Sequence, residues 1–147
     1  MKMPLYTLYF VLALCAGGCW AEDYQGQRDF EKYSVHFNVF NSTFIPAHVA
    51  ANYGLKRSKY ESLLNVSVAP VGEYGAIPAK ITGTVTNLMQ QQKKLKFIEI
   101  SEKTATYYLA PIRISGEENV RIELNVTPKG ETETLELKFN KKIYSDP

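Results

Sequence analysis

Apolar side chains recur at every second position through most of this chain, and that period restricts what it can fold into. Val120, Ile122, Leu124 and Val126 alternate with Arg121, Glu123 and Asn125, and Leu135, Leu137, Phe139 and Ile143 alternate with Glu136, Lys138 and Asn140. Tyr33, Val35, Phe37 and Val39 do the same around Ser34, His36 and Asn38, as do Leu64, Val66 and Val68 around Asn65 and Ser67, where Pro70 stops the run. Ile77, Ala79, Ile81 and Val85 oppose Lys80, Thr82, Thr84 and Thr86. A strand sends successive side chains to opposite faces, so each segment has one greasy face and one wet face. Such faces are buried by stacking one sheet on another. About seven strands at this spacing predict an all-β chain: a single antiparallel β-sandwich, immunoglobulin-like or fibronectin-III-like in architecture, with a β-barrel as the alternative.

Several segments carry more detail. Gly83 interrupts the fourth run, which predicts a bulge or a close approach of another group. Leu95 to Ser101 is a further strand, reached through a polar loop, Gln90 to Lys94. Ala105 to Ala110 has apolar or aromatic residues on both parities, as expected of a central or covered strand. Pro128-Lys129-Gly130 marks a hairpin. Pairing residues whose numbers sum to 259 would set Glu123 opposite Glu136 and Arg121 opposite Lys138, and like charges in register repel. A sum of 261 pairs Leu124 with Leu137, Ile122 with Phe139 and Glu123 with Lys138, which predicts that register with Lys129 to Thr132 as the loop. One short helix is expected at 46–53: Pro46 suits a first helical position, Ala47, Ala50 and Ala51 favour helix, and Gly54 ends it. It is too short to stand alone and is expected to dock through Phe44, Val49 and Tyr53.

The first 21 residues read as an export signal: Lys2, an apolar run from Leu5 to Leu14, then Ala16-Gly17-Gly18-Cys19-Trp20-Ala21. The run is shorter than the ~20 residues a membrane span takes. Cleavage after Ala21 is expected, with acylation of Cys19 at a lipobox-like site as the alternative. Cys15 and Cys19 are the two cysteines of the chain, so no internal disulfide is expected in the processed domain. The organisation predicted is a signal peptide at 1–21, a polar lead-in at 22–30 and one β-sandwich domain at 31–145. The expected location is outside the cytoplasm.

The chemistry of the sequence is sparse. The net charge is +2, with both signs interspersed, and nucleic-acid binding needs a clustered basic face. His36 and His48 are the two histidines, and no His, Cys, Asp and Glu grouping has metal-ligand spacing. Ser42, Ser58 and Ser67 lie outside any Gly-x-Ser-x-Gly elbow. No catalytic constellation, cofactor or metal site is expected. The densest group of unusual residues runs from Phe40 to Tyr60. Asn41, Ser42, Thr43, Arg57, Ser58 and Tyr60, with an exposed Tyr108, form the candidate interaction patch. The competing reading is that Asn41, Ser42 and Thr43 satisfy backbone groups at a corner while Arg57 braces the loop.

The same residues carry a resemblance. Tyr33-Ser34-Val35-His36-Phe37, Phe40-Asn41-Ser42-Thr43-Phe44, Tyr53-Gly54, Arg57-Ser58, Tyr60 and Asn65-Val66-Ser67-Val68 resemble a family of small exported bacterial proteins, common in gammaproteobacteria and classed as a domain of unknown function. Tyr107-Tyr108-Leu109 and Lys138-Phe139 look like the same family. The resemblance implies a periplasmic, single-domain β-sandwich and no assigned activity. The expected role is a non-catalytic binding or accessory module for an unidentified envelope protein, acting as a monomer. A small-ligand carrier with a pocket between helix and sheet is the alternative, and an enzyme of unrecognised mechanism is the third.

Overall fold

The computed structural model describes residues 26–147. The signal segment 1–21, with Cys19 and its cleavage positions, and the first residues of the polar lead-in lie outside the described residues. Among the described residues nine strands form two sheets: β1 (Gln27–Asp29), β2 (Tyr33–Asn41), β3 (Glu61–Pro70), β4 (Ala79–Asn87), β5 (Gln92–Lys94), β6 (Ile98–Glu102), β7 (Ala105–Arg113), β8 (Glu117–Pro128) and β9 (Leu135–Tyr144). One sheet has the order β1-β2-β3-β7-β6 and the other β5-β4-β8-β9. Every pairing between these strands is antiparallel. The chain is an all-β sandwich.

The inward parities are the ones the alternation assigns. Val35 and Phe37 of β2, Leu64, Val66 and Val68 of β3, Ile122, Leu124 and Val126 of β8, and Leu137 and Phe139 of β9 form one core cluster. Leu64, Val66, Val68, Ile122 and Val126 are fully buried, and each such side chain contributes about 1.5–3 kcal/mol relative to exposure. The rings of Phe37 and Phe139 stack across the two sheets with centroids 4.3 Å apart. β8 and β9 pair in the register with sum 261: Leu124 faces Leu137, Ile122 faces Phe139 and Glu123 faces Lys138.

Gly83 marks a close approach and not a bulge, because the β4–β8 ladder runs without interruption from Ala79 to Asn87. A Cβ on Gly83 would lie 2.6 Å from the Glu123 carbonyl oxygen and 2.7 Å from Leu124 Cδ2. Leu95 packs beside this position, and its N–H donates to the Gly83 carbonyl at 2.9 Å. Here the chain leaves the second sheet after Lys94 and joins the first at Ile98.

β7 is central, between β3 and β6, and its two apolar faces have separate partners. Ala110 and Ile112 face the main core. Leu109 lies on the outer face with Leu63, Ile100, Ile45, Ala50 and Leu55. The helical segment α1 (Ala47–Asn52) covers that outer cluster.

Several expectations need correction. Two added strands raise the count above seven. Gln27–Asp29, read as lead-in, pairs with Ser34–His36. Gln92–Lys94, read as loop, pairs with Thr84–Thr86, a pairing that polar side chains conceal. The following strand begins at Ile98 and not Leu95. The last hairpin loop extends to Thr134. α1 is shorter than 46–53, with Pro46 at its N-cap. Phe44 is 70% exposed and does not dock. Ile45, held extended at φ −75° and ψ 131° ahead of Pro46, turns inward in its place and is buried.

β2 finishes at the same end of the sandwich at which β3 begins, because Asn41 pairs with Ser62. Glu61 pairs with Arg113 and Glu117 with Tyr144, so β7 and β9 also finish there. β1 runs against β2 and starts opposite His36, midway along it.

Candidate functional site

The end where β2 finishes gathers six of the seven residues singled out in the sequence. β2 stops at Asn41 and turns through a 3-10 segment, Ser42–Phe44. The return from α1 brings Arg57, Ser58 and Tyr60 alongside. Ser42 is 1% exposed, and its Oγ accepts from Ser58 N–H at 2.9 Å and donates to Ser58 C=O at 3.0 Å. Ser58 Oγ accepts from Tyr60 N–H at 3.2 Å. Ser62 Oγ donates to Asn41 Oδ1 at 3.2 Å. Arg57 Nη2 donates to the Thr43 carbonyl at 3.0 Å.

The C-terminal segment completes the corner. Thr43 Oγ1 donates to Asp146 Oδ2, and Asp146 N–H donates to the Lys59 carbonyl at 3.0 Å. These short polar side chains thus bond local backbone and one another, and their positions hold two loops and the end of the chain together.

What this brace presents outward is aromatic and cationic. Phe44 is 70%, Tyr60 47% and Tyr144 52% exposed. The Lys59 ammonium lies 5.1 Å from the Tyr60 ring and that of Lys142 5.5 Å from the Tyr144 ring. Lys142 also pairs with Glu117, whose hydrogen bond raises the Lys142 pKa above the ordinary lysine value. Between the ends of β2 and β9 lies an open groove of about 280 Å³ lined by Phe40, Phe44, Lys141 and Tyr144 among others.

Tyr108 does not belong to this group. It is 5% exposed and shares the inward parity of Ala110. Its hydroxyl accepts from Ala79 N–H at 2.8 Å and donates to Glu99 at 3.2 Å. Burial raises its pKa above the ordinary tyrosine value. In a strand apolar on both parities, period alone does not say which tyrosine points in. Tyr144 and Asp146 were missed. Their only signal is the end of a strand, since Thr43 and Asp146 are 103 residues apart in sequence.

Because Ser42 Oγ meets both backbone groups of Ser58, Ser42→Ala is expected to cost about 1–3 kcal/mol, leaving the half-buried Ser58 N–H unpaired while the Ser58 carbonyl keeps the Glu61 N–H. A denaturant midpoint measures this; an unchanged midpoint would show that water replaces the hydroxyl.

Elsewhere, a groove of about 540 Å³ runs over the second sheet, lined by Thr82, Thr84, Lys94, Glu123, Glu136 and Lys138 among others. The contact between α1 and its sheet is filled by Ile45, Ala50, Leu55, Leu63, Ile100 and Leu109. His36 and His48 are exposed on separate elements. Among the described residues no three His, Cys, Asp or Glu side chains gather to hold a metal ion, and no helix is long and apolar enough to cross a membrane.

Comparison with known proteins places this arrangement. A DUF4426 family protein from Pseudomonas aeruginosa has 36% sequence identity, a TM-score of 0.75, and coverage of 84% of this chain and 99% of its own. FetP of uropathogenic Escherichia coli, recombinantly expressed in the periplasm, has 14% identity and a TM-score of 0.60, with 82% and 94% covered. A copper-bound variant of FetP gives a TM-score of 0.61 at 14% identity, with 82% and 96% covered. At that identity the likeness to FetP is one of fold. No curated protein matches the chain. The sequence profile of DUF4426, a domain of unknown function, matches residues 27–146, the span of both sheets and of the braced corner, and the chain belongs to that family.

Proposed function

We propose that this protein is an exported, periplasmic, non-catalytic binding module that engages a protein of the cell envelope through the end carrying Phe44, Arg57 and Tyr60. One observation supports this most directly. The conspicuous polar residues are consumed in bracing, and the brace holds exposed aromatic rings and a guanidinium outward on a rigid frame. Aromatic residues and arginine dominate binding hot spots, and a fixed loop loses little entropy on association. The signal-like leader and the sandwich fold shared with a periplasmically expressed protein support the location.

The carrier alternative draws no support from the contact beneath α1, which is filled by side chains. Copper is recorded for a FetP variant; among the described residues of this chain no three His, Cys, Asp or Glu side chains gather.

A photo-crosslinking side chain at residue 60 is expected to capture one envelope protein in intact cells. The same group at residue 74, at the opposite end, is expected not to. Phe44→Ser should reduce the capture from residue 60 about tenfold or more, the scale of a lost hot spot. Equal capture from both ends, or capture indifferent to Phe44→Ser, would overturn the assignment.

A further inference from the structure

The β4–β5 hairpin has a tip that its own turn does not explain. Asn87 C=O accepts from Gln90 N–H at 3.0 Å, and Asn87 N–H donates to Gln91 C=O at 3.1 Å. The Asn87 side chain accepts from Gln91 N–H at 3.0 Å and donates to Gln91 Oε1 at 2.8 Å. Gln90 takes φ +61°, a place usually given to glycine in three-residue hairpin loops. The turn is therefore wired through Asn87, Gln90 and Gln91. The two residues it pushes out, Leu88 and Met89, are 75% and 77% exposed. Polar residues are usual at such positions, so turn formation does not account for this pair.

Cations surround the tip. Lys93, Lys94 and Lys96 follow it, all exposed. Lys93 and Lys94 are adjacent in a strand and point to opposite faces of the hairpin. The cleft beside them sets Lys93, Lys94 and Arg113 against Glu61 and Glu118, and Lys96 adds to the positive excess. On the other face Lys94 shares a groove with Lys138, Glu123 and Glu136, so the positive excess lies on the Lys93 side. An apolar point flanked by that excess suits an anionic plane more than an apolar protein pocket. Apolar insertion and lysine attraction add at a lipid surface.

We propose that the Leu88–Met89 tip inserts into the interfacial layer of a membrane containing anionic lipid, with Lys93, Lys94 and Lys96 lying at its headgroups. The tip lies at the same end as the aromatic corner, since Asn87 pairs with Val120 near the start of β8. Lipid binding does not require the protein partner proposed above, and purified vesicles separate the two.

The test uses the protein as exported and processed by the expressing cell, carrying Cys19→Ser so that no acyl chain contributes. Sedimentation with vesicles of phosphatidylglycerol and phosphatidylcholine is the readout. Binding is expected to fall with salt and to be weak on phosphatidylcholine alone. Leu88→Ser with Met89→Ser should weaken it roughly tenfold or more, and Lys93→Glu with Lys94→Glu should weaken it comparably. Leu88→Trp should shift its emission to shorter wavelength on the mixed vesicles. Both serine substitutions are at exposed sites, and unchanged thermal unfolding confirms an intact fold. Absence of binding by the parent protein, equal binding to both vesicles, or full binding by the double serine variant would overturn the proposal. So would loss of crosslinking to a protein in that variant without any vesicle binding by the parent, which would identify the tip as a protein contact.

Discussion

Gly83→Val is expected to destabilise the domain by about 3 kcal/mol or more, at the upper end of the usual cost of overpacking. The first added carbon already falls 2.6 Å from a backbone oxygen of β8 and 2.7 Å from Leu124. A backbone carbonyl inside an unbroken ladder cannot step aside, and Leu124 is 1% exposed with its neighbours packed around it. Leu95 needs the same space to carry the chain between sheets. The loss should appear as a lower denaturant midpoint with an unchanged slope. Thr82→Val, at an exposed neighbour on the other face, should stay within about 0.5 kcal/mol. If Gly83→Val matched that control, the close approach of β8 and Leu95 would be wrong.

Phe139→Ala is expected to cost about 3–5 kcal/mol, the range for removing a buried aromatic ring. Phe139 is 8% exposed and stacks on Phe37 from the facing sheet. The space left would be bounded by β2 and β9, whose own ladders hold them apart, so collapse would be incomplete. Phe37→Ala should cost a similar amount, and the double substitution less than the two losses combined. The shortfall measures the ring–ring term, about 0.5–1.5 kcal/mol. Strict additivity would show that the stack contributes nothing beyond buried area.

The β8–β9 register was legible because two independent constraints agree there. The apolar parities permit only odd sums, and the charges of Glu123, Glu136 and Lys138 reject one of the two nearest candidates. β7 was legible as a covered strand for a similar reason, since both its parities are apolar. Its cover could not be read, because Ile45 and Leu55 reach Leu63 and Leu109 only after the chain has turned twice. β5 was illegible in principle: Gln92, Lys93 and Lys94 pair through the backbone, which leaves no mark on side-chain pattern. The corner was half legible. Asn41, Ser42, Thr43, Arg57 and Ser58 stood out as a group, yet the partner that completes them, Asp146, lies at the far end of the sequence. Tyr108 was misplaced because a two-sided strand hides its inward face. Leu88 and Met89 fall between the run ending at Thr86 and the polar loop Gln90 to Lys94, where no period marks them.

β9 ends, and the described chain finishes, at the end that carries the braced corner and the Leu88–Met89 tip. A fusion or affinity tag after Pro147 would therefore shadow that surface, and a sample tethered that way would report a false absence of binding. Attachment through Lys129 or through residue 73, on the far loops, leaves Phe44, Tyr60 and Leu88 open to whatever they meet.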